Sequence, residues 1–253
     1  MVGERALVTG STSGIGRALA IRFAREGAAV CVAGRDHERG DAVVAEILAS
    51  GGAACFFGAD LTDERECSSL VASASAALGG LTVLVNNAAS SSRDDAAVAD
   101  LATEVWEAVI RANLTAPFWL CRSAIGEMTN AGHGSIINIS TRQAERASKN
   151  FTAYVASKAG LNGLTRAIAV DYADRNIRCN TISPGFILND SRDADMDATR
   201  SARYEAMHLT RLGVADDVAS AAVYFACSES EFVTGTNLQL DGGSSIARGL
   251  TLG

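Results

Sequence analysis

Tyr154 and Lys158 stand four residues apart in Tyr-Val-Ala-Ser-Lys, at the start of a strongly helical stretch. That spacing projects both from one helix face, about one turn apart. A phenol beside an ammonium suits proton transfer to or from a carbonyl or alcohol oxygen. The phenol alone is a poor base at neutral pH: its pKa lies near 10, and bringing it to about 7 takes roughly 4 kcal/mol of preferential stabilisation of phenolate. A neighbouring ammonium is the right kind of source, although a surface Tyr–Lys pair would show the same spacing. Ser140 closes the run Ile-Asn-Ile-Ser fourteen residues before Tyr154, and its hydroxyl could hydrogen-bond the same substrate oxygen. Of the 22 Lys and Arg residues only two are Lys, at 149 and 158. A compact ammonium is therefore kept at 158 in a chain that otherwise uses Arg.

A second constellation lies near the N-terminus, in Thr9-Gly10-Ser-Thr-Ser13-Gly14-Ile15-Gly16. It follows an apolar run and opens a helical pattern. Glycines there allow a tight turn and close approach of backbone to a pyrophosphate, and the helix N-terminus offers N–H donors and partial positive charge. A plain strand-to-helix turn also uses glycine; the position after a first strand and before a helix is what favours a dinucleotide. The second apolar run ends Ala33-Gly34-Arg35-Asp36. NAD-selective sites place an acid near that point to accept from the ribose hydroxyls. Here Gly34 takes the acidic position and Arg35 follows, able to pair with a 2′-phosphate. NADP(H) is therefore favoured, with NAD(H) the alternative and Asp36 the one contrary residue. Asp60, followed by Leu61 at the end of the third run, suits the adenine amino group, and equally suits a turn or helix cap.

These residues need a scaffold that brings them to one edge. Short apolar runs at 5–9, 28–33, 53–58, 81–86, 134–140, 176–182 and 236–240 alternate with helical patterns near 15–27, 37–50, 63–78, 97–130, 152–174 and 215–228. Near-continuous apolar strands suit burial on both faces. Their alternation with helices predicts an α/β fold, a Rossmann-type doubly wound parallel sheet of about seven strands within a single domain over 1–253. The carboxyl edge of such a sheet is where ligands bind. One long stretch, 186–212, has no clear period; it carries Asp190, Asp193, Asp195, Asp197 and Glu205 against Arg192, Arg200, Arg203 and Arg211. It reads as a substrate lid.

Composition excludes other classes. The chain has 253 residues and a formal charge of −7, which argues against a nucleic-acid partner. No run approaches the roughly 18 apolar residues that a membrane span requires. The six Cys are scattered without metal-ligand spacing and read as free thiols in a reducing compartment. His37, His133 and His208 lie far apart in polar contexts, so no metal site is expected. The N-terminus shows no signal-peptide pattern, and the expected location is the cytoplasm.

Taken jointly, these motifs resemble the short-chain dehydrogenase/reductase family in its compact branch. The glycine motif corresponds to Thr9–Gly16, the family's Tyr-x-x-x-Lys to Tyr154 and Lys158, and its catalytic Ser to Ser140. The resemblance implies a fourth catalytic residue at Asn113, holding a water in a proton relay through the lysine. The family's Asn-Asn-Ala-Gly appears as Asn86-Asn87-Ala88-Ala89. Pro184-Gly185 matches its nicotinamide-side turn, and Asn189 replaces a Thr that contacts the carboxamide. Cofactor contacts are thus expected at Gly10, Ser13, Gly14, Ile15, Gly16, Arg35, Asp60, Leu61, Asn87, Ala88, Tyr154, Lys158, Pro184, Gly185, Ile187 and Asn189. The implied activity is hydride exchange between a nicotinamide and a carbonyl or secondary alcohol. The nearest group is the 3-oxoacyl-carrier-protein reductases, with sugar, polyol and steroid dehydrogenases as the alternative. Arg142, Arg146 and Lys149 could set positive charge at the pocket mouth for an anionic substrate, or form a solvated polar loop. A non-catalytic dinucleotide sensor would have a broken tetrad, and a longer-branch epimerase or dehydratase needs a larger C-terminal domain. The resemblance also implies a homotetramer through the helices near 97–130 and 152–174; the tail 244–253 is moderately apolar and could reach a neighbouring subunit.

Overall fold

A computed structural model describes residues 1–90, 93–189 and 193–247. The elements run β1 (Arg5–Thr9), α1 (Gly14–Arg25), β2 (Ala29–Gly34), α2 (His37–Ala49), β3 (Ala53–Gly58), α3 (Glu64–Leu78) and β4 (Val83–Asn86). They continue through α4 (Thr103–Ile110), a π turn (Arg111–Thr115), α5 (Ala116–Ala131), β5 (Gly134–Ile139), α6 (Thr152–Asp171), β6 (Ile177–Pro184), α7 (Ala198–Glu205), α8 (Ala215–Ala226) and β7 (Asn237–Leu240). The strands form one sheet in the order β3-β2-β1-β4-β5-β6-β7, every pair parallel. All seven expected strands are present, with ends shifted by at most two residues.

The apolar runs are continuous because both sheet faces are covered. Ala6, Val8, Val30, Val32, Val83 and Val85 meet α1, α2 and α8 on one face, whereas Leu7, Cys31, Leu84 and Ile136 meet α3, α5 and α6 on the other. The period-2 alternation of the strands sorts neighbouring residues between two cores. Helix α8, the last in chain order among the described residues, lies against α1, the first; Arg22 joins them through Ser220 (2.9 Å) and Asp216 (3.4 Å). All six cysteines are free, and four are buried.

Two expectations need correction. The helix read over 97–130 starts at Thr103 and is broken into α4 and α5 by the π turn. The cause is Pro117: it has no N–H to give the carbonyl of Asn113, so the turn widens, and the Ala116 N–H reaches back five residues to Arg111. The 186–212 stretch, read as irregular, contains α7, capped by Asp197, whose carboxylate accepts from the Arg200 N–H at 2.7 Å. Helix α7 buries none of its residues, so it left no apolar period to read. Asp190 and Arg192 of that stretch, and 248–253 of the tail, lie outside the described residues.

Candidate active site

A crevice of about 690 Å³ runs along the carboxyl edge of the sheet. Every residue expected at the catalytic or cofactor site lines it except Asn113, which is buried while its neighbour Ala112 lines the crevice. With β1 and β4 adjacent at the centre, the crevice lies where the strand order reverses direction.

The glycine turn has no room for side chains at its glycines. A Cβ on Gly16 would fall 2.2 Å from the Gly10 carbonyl oxygen, and one on Gly14 would fall 2.9 Å from Asn189 Nδ2. Gly14 also has φ +52°, a value glycine adopts without strain. Ser13 occupies the N-cap of α1 without a side-chain bond to its first turn, and no acid lies in that turn. Its N–H donors are therefore left for an anionic ligand. Asn87 ties the end of β4 to this turn, donating from Nδ2 to the carbonyls of Thr9 (2.9 Å) and Gly10 (3.2 Å). Ala89 stands where the motif has glycine, yet only Asn150 and Asn176 among the described non-glycine residues have positive φ, so alanine fits without strain.

At the far end of the crevice, Arg35 follows β2 and is exposed. Asp36 is turned away to cap α2: it accepts from the Arg39 N–H at 3.0 Å and pairs with the Arg39 guanidinium at 3.2 Å. Asp60 accepts from the N–H (3.0 Å) and hydroxyl (2.9 Å) of Thr62. These two bonds, and after them the charge of Arg35, hold its carboxyl below the usual range. The turn reading of Asp60 is thus present, while the N-cap of α3 is Asp63. The crevice residues fit a dinucleotide: a glycine turn with spare N–H donors at its middle, and Arg35 with Asp60 at one end.

At the other end lie the acid–base candidates. Lys158 is 2% exposed and its Nζ donates to the Ile139 carbonyl at 2.7 Å. Burial lowers its pKa from 10.5 to about 8. Ser140 is anchored by its N–H to the Ile182 carbonyl (2.8 Å), and its Oγ donates to the Lys158 carbonyl at 3.4 Å. Tyr154 lies in the first turn of α6. Asn113, in the π turn, donates from Nδ2 to Ser157 Oγ (3.1 Å), and Ser157 in turn donates to the Tyr154 carbonyl (2.7 Å). Ser157 is a link the sequence reading missed; nothing but its place inside Tyr-x-x-x-Lys singles it out. Beneath the site, Asn86 donates to Asn138 (2.8 Å), Asn138 to Thr165 (2.8 Å), and Thr165 meets Thr181 (2.7 Å). This buried polar chain stitches α6 to β4, β5 and β6.

Residues 10–245 match the family model described as Enoyl-(Acyl carrier protein) reductase. The chain belongs to the short-chain dehydrogenase/reductase family. Members of this family are NAD(P)-dependent oxidoreductases acting on CH–OH or C=O groups, and so is this protein. It is 36% identical, over 97% of this chain and 98% of the relative, to the 2,5-dichloro-2,5-cyclohexadiene-1,4-diol dehydrogenase LinX of Sphingobium indicum. It is 34% identical to the 3-oxoacyl-[acyl-carrier-protein] reductase FabG of Chlamydia pneumoniae, over 96% of this chain and 97% of that one. A short-chain type dehydrogenase/reductase from Mycobacterium ulcerans superposes with a TM-score of 0.92 at 30% identity, covering 98% of this short-chain dehydrogenase and 92% of the other chain.

Outside the crevice, Arg142 docks on Ser244 Oγ (3.3 Å) and Met207 Sδ (3.8 Å), and Arg146 on the Ala247 carbonyl (3.4 Å). Neither they nor Lys149 line the crevice. Buried His208 latches α7 to the turn after β6, with Nδ1 on the Tyr204 carbonyl (2.7 Å) and Nε2 accepting from the Phe186 N–H (3.3 Å). Among the described residues no group of His, Cys, Asp and Glu could hold a metal, and no helix is long and apolar enough to cross a membrane.

Proposed function

We propose that this protein is an NADP(H)-preferring dehydrogenase/reductase in which Tyr154, Lys158, Ser140 and Asn113 form the acid–base machinery. The observation that carries this reading is the convergence of all but one of these side chains on one end of a crevice that also holds the glycine turn and, at its far end, Arg35 and Asp60. When bound, the nicotinamide supplies or accepts the hydride. Tyr154 donates a proton to the substrate oxygen in reduction and takes it in oxidation. Lys158, already held in a poorly solvated place, favours the phenolate by its charge. Ser140 holds the substrate oxygen by a hydrogen bond, and Asn113 connects the tyrosine's helix to the π turn.

The preference for NADP(H) over NAD(H) is supported by Arg35 and by Asp36, whose carboxylate is committed to the cap of α2. A guanidinium there binds a 2′-phosphate through charge-assisted bonds. For the substrate, a 3-oxoacyl thioester is the first candidate, supported by the likeness to the Chlamydia reductase. A ring alcohol is the second, supported by the likeness to the cyclohexadienediol dehydrogenase, and sugar or steroid alcohols fall in the same class. Initial rates on a short 3-oxoacyl thioester, keto-sugars and cyclic ketones, each with NADPH and NADH, test all of this. No rate on the thioester eliminates the first candidate, and equal efficiency with both nucleotides eliminates the NADP(H) preference.

We also propose a homotetramer in the cytoplasm. Apolar side chains left exposed on α4 and α5 (Trp106, Phe118), on α6 (Val170) and before β7 (Phe232) support contact between copies. The free thiols support a reducing compartment. Light scattering on the eluting protein checks the tetramer, and a dimer or monomer mass rejects it.

A further inference from the structure

Helix α6 carries Tyr154 in its first turn and Lys158 in its second, yet it has no cap of its own: Phe151 stands at the N-cap, and its side chain makes no bond to the first turn. Orphan N–H groups at a buried helix start must be satisfied from elsewhere. Here the carboxylate of Asp95 does so from the segment that follows β4. It accepts from the Ala153 N–H at 3.1 Å and from the N–H of Tyr154 itself at 2.9 Å. Asp95 is buried, with 8% of its surface exposed. One residue on, the Ala96 carbonyl accepts from Thr152 Oγ1 at 2.7 Å. The start of the same segment grips Asn113, the Ser90 N–H donating to its Oδ1 (2.7 Å) and the Ser90 carbonyl accepting from its Nδ2 (2.8 Å).

We propose that Asp95 is a positioning residue for proton transfer, fixing the Tyr154 end of α6 against the segment that also orients Asn113. This rests on the reading of Tyr154 as the proton-transferring group. A local cap at 151 would stabilise the helix wherever its first turn lay. A carboxylate reaching in from another segment, with one oxygen on each of two successive N–H groups, also fixes the turn's rotation and axial position. Ser140 is held on β6 through its N–H, and its Oγ meets α6 only a turn further on, at the Lys158 carbonyl. Loss of the Asp95 clamp therefore shifts Tyr154 relative to Ser140 without altering either side chain. A carboxyl group is buried at a helix start only where N–H donors such as these two meet it.

The test compares Asp95→Ala, Asp95→Asn and Thr152→Val. In Asp95→Ala, kcat on whichever carbonyl of the substrate panel turns over is expected to fall by about tenfold or more, as misplacement of a reacting group does. KM and the NADPH dissociation constant stay within about twofold, because Asp95 does not line the crevice. Asp95→Asn keeps one acceptor oxygen and recovers part of the loss. Thr152→Val removes the separate bond to the Ala96 carbonyl, which lies outside the Asp95 clamp; it lowers the melting temperature and leaves kcat unchanged. A readout without turnover accompanies these: with ¹³C-labelled tyrosine, the Tyr154 resonance, identified by its absence in Tyr154→Phe, moves or broadens in Asp95→Ala but not in Thr152→Val. An Asp95→Ala protein with wild-type kcat and an unmoved resonance overturns the proposal. So does a Thr152→Val protein that loses as much kcat, since the effect is then loosening of the helix. If Asp95→Ala does not fold, Asp95→Asn decides in its place: wild-type kcat and an unmoved Tyr154 signal overturn it. Retained turnover in Tyr154→Phe instead overturns the underlying assignment of Tyr154, whatever the Asp95 variants do.

Discussion

Replacing Lys158 by Met should inactivate the enzyme and make the cofactor-free protein more stable near neutral pH. The amine titrates near 10.5 when solvated and near 8 in the folded chain, because burial disfavours its charge. That difference corresponds to a folding penalty of about 3 kcal/mol at pH 7. The sign follows from proton counting. Between about pH 8 and 10.5 the unfolded chain binds more protons than the folded one, so stability rises with pH across that window. Below it the full penalty applies, and above it none. Methionine removes the penalty but also the Nζ bond to the Ile139 carbonyl, a loss of about 1 to 2 kcal/mol. The net gain at pH 7 is about 1 to 2 kcal/mol, or roughly 2 to 6 °C in melting temperature for a chain of this size. Thermal melts of both proteins without nucleotide, at half-unit steps from pH 6.5 to 10.5, measure it. The Met variant's advantage should be greatest below pH 8 and vanish or reverse by pH 10.5. A variant that melts lower at pH 7, or a difference that does not change with pH, refutes the argument that burial of the ammonium dominates at this site.

Other outcomes follow from the same geometry. Tyr154→Phe should retain no more than a few per cent of turnover, with NADPH binding by fluorescence titration close to normal; a higher rate displaces Tyr154 from the chemistry. Arg35→Ala should raise the KM for NADPH by roughly 10- to 100-fold, the worth of charge-assisted bonds, and leave the KM for NADH nearly unchanged. Pro117→Ala returns an N–H that can pair with the Asn113 carbonyl. The π turn should then tighten, raising the melting temperature by removing a cost of up to about 3 kcal/mol while kcat falls as Asn113 moves; unchanged kcat dissociates the π turn from catalysis. Lys149→Arg should be silent and Lys158→Arg inactive, which steady-state rates on purified protein decide.

Those residues differ in how visible they are from sequence. The strands were legible because sandwiching between two helical layers leaves each an unbroken apolar run, as in Ala29–Gly34 and Gly134–Ile139. The nucleotide turn and Tyr154, Lys158 and Ser140 were legible because each sits at a fixed offset from a strand end or on one helix turn. Helix α7 was not, since an exposed helix leaves no hydrophobic period. The π turn was hidden inside an apparently continuous helix, although Pro117, one of only two prolines, was the available sign. Ser157 and Asp95 act through backbone groups of Tyr154, and a bond between segments 59 residues apart leaves no mark in local spacing. For Asp36, sequence proximity to Arg35 suggested a contrary charge; only its side-chain direction shows that α2 uses it.

The packing of α8 on α1 has a consequence for how the protein is made. The residues of the nucleotide turn leave the ribosome early, but Leu19 and Phe23 behind them share their core with Val218, Ala222 and Phe225. Until that last helix is synthesised, this face of the sheet is covered by α1 and α2 alone, and the first half of the chain presents apolar surface that α8 later buries. A fragment ending before Ala215 would keep every residue of the glycine turn and still be a poor nucleotide binder. The helix that opens at the nucleotide turn thus takes part of its support from the last helix of the chain.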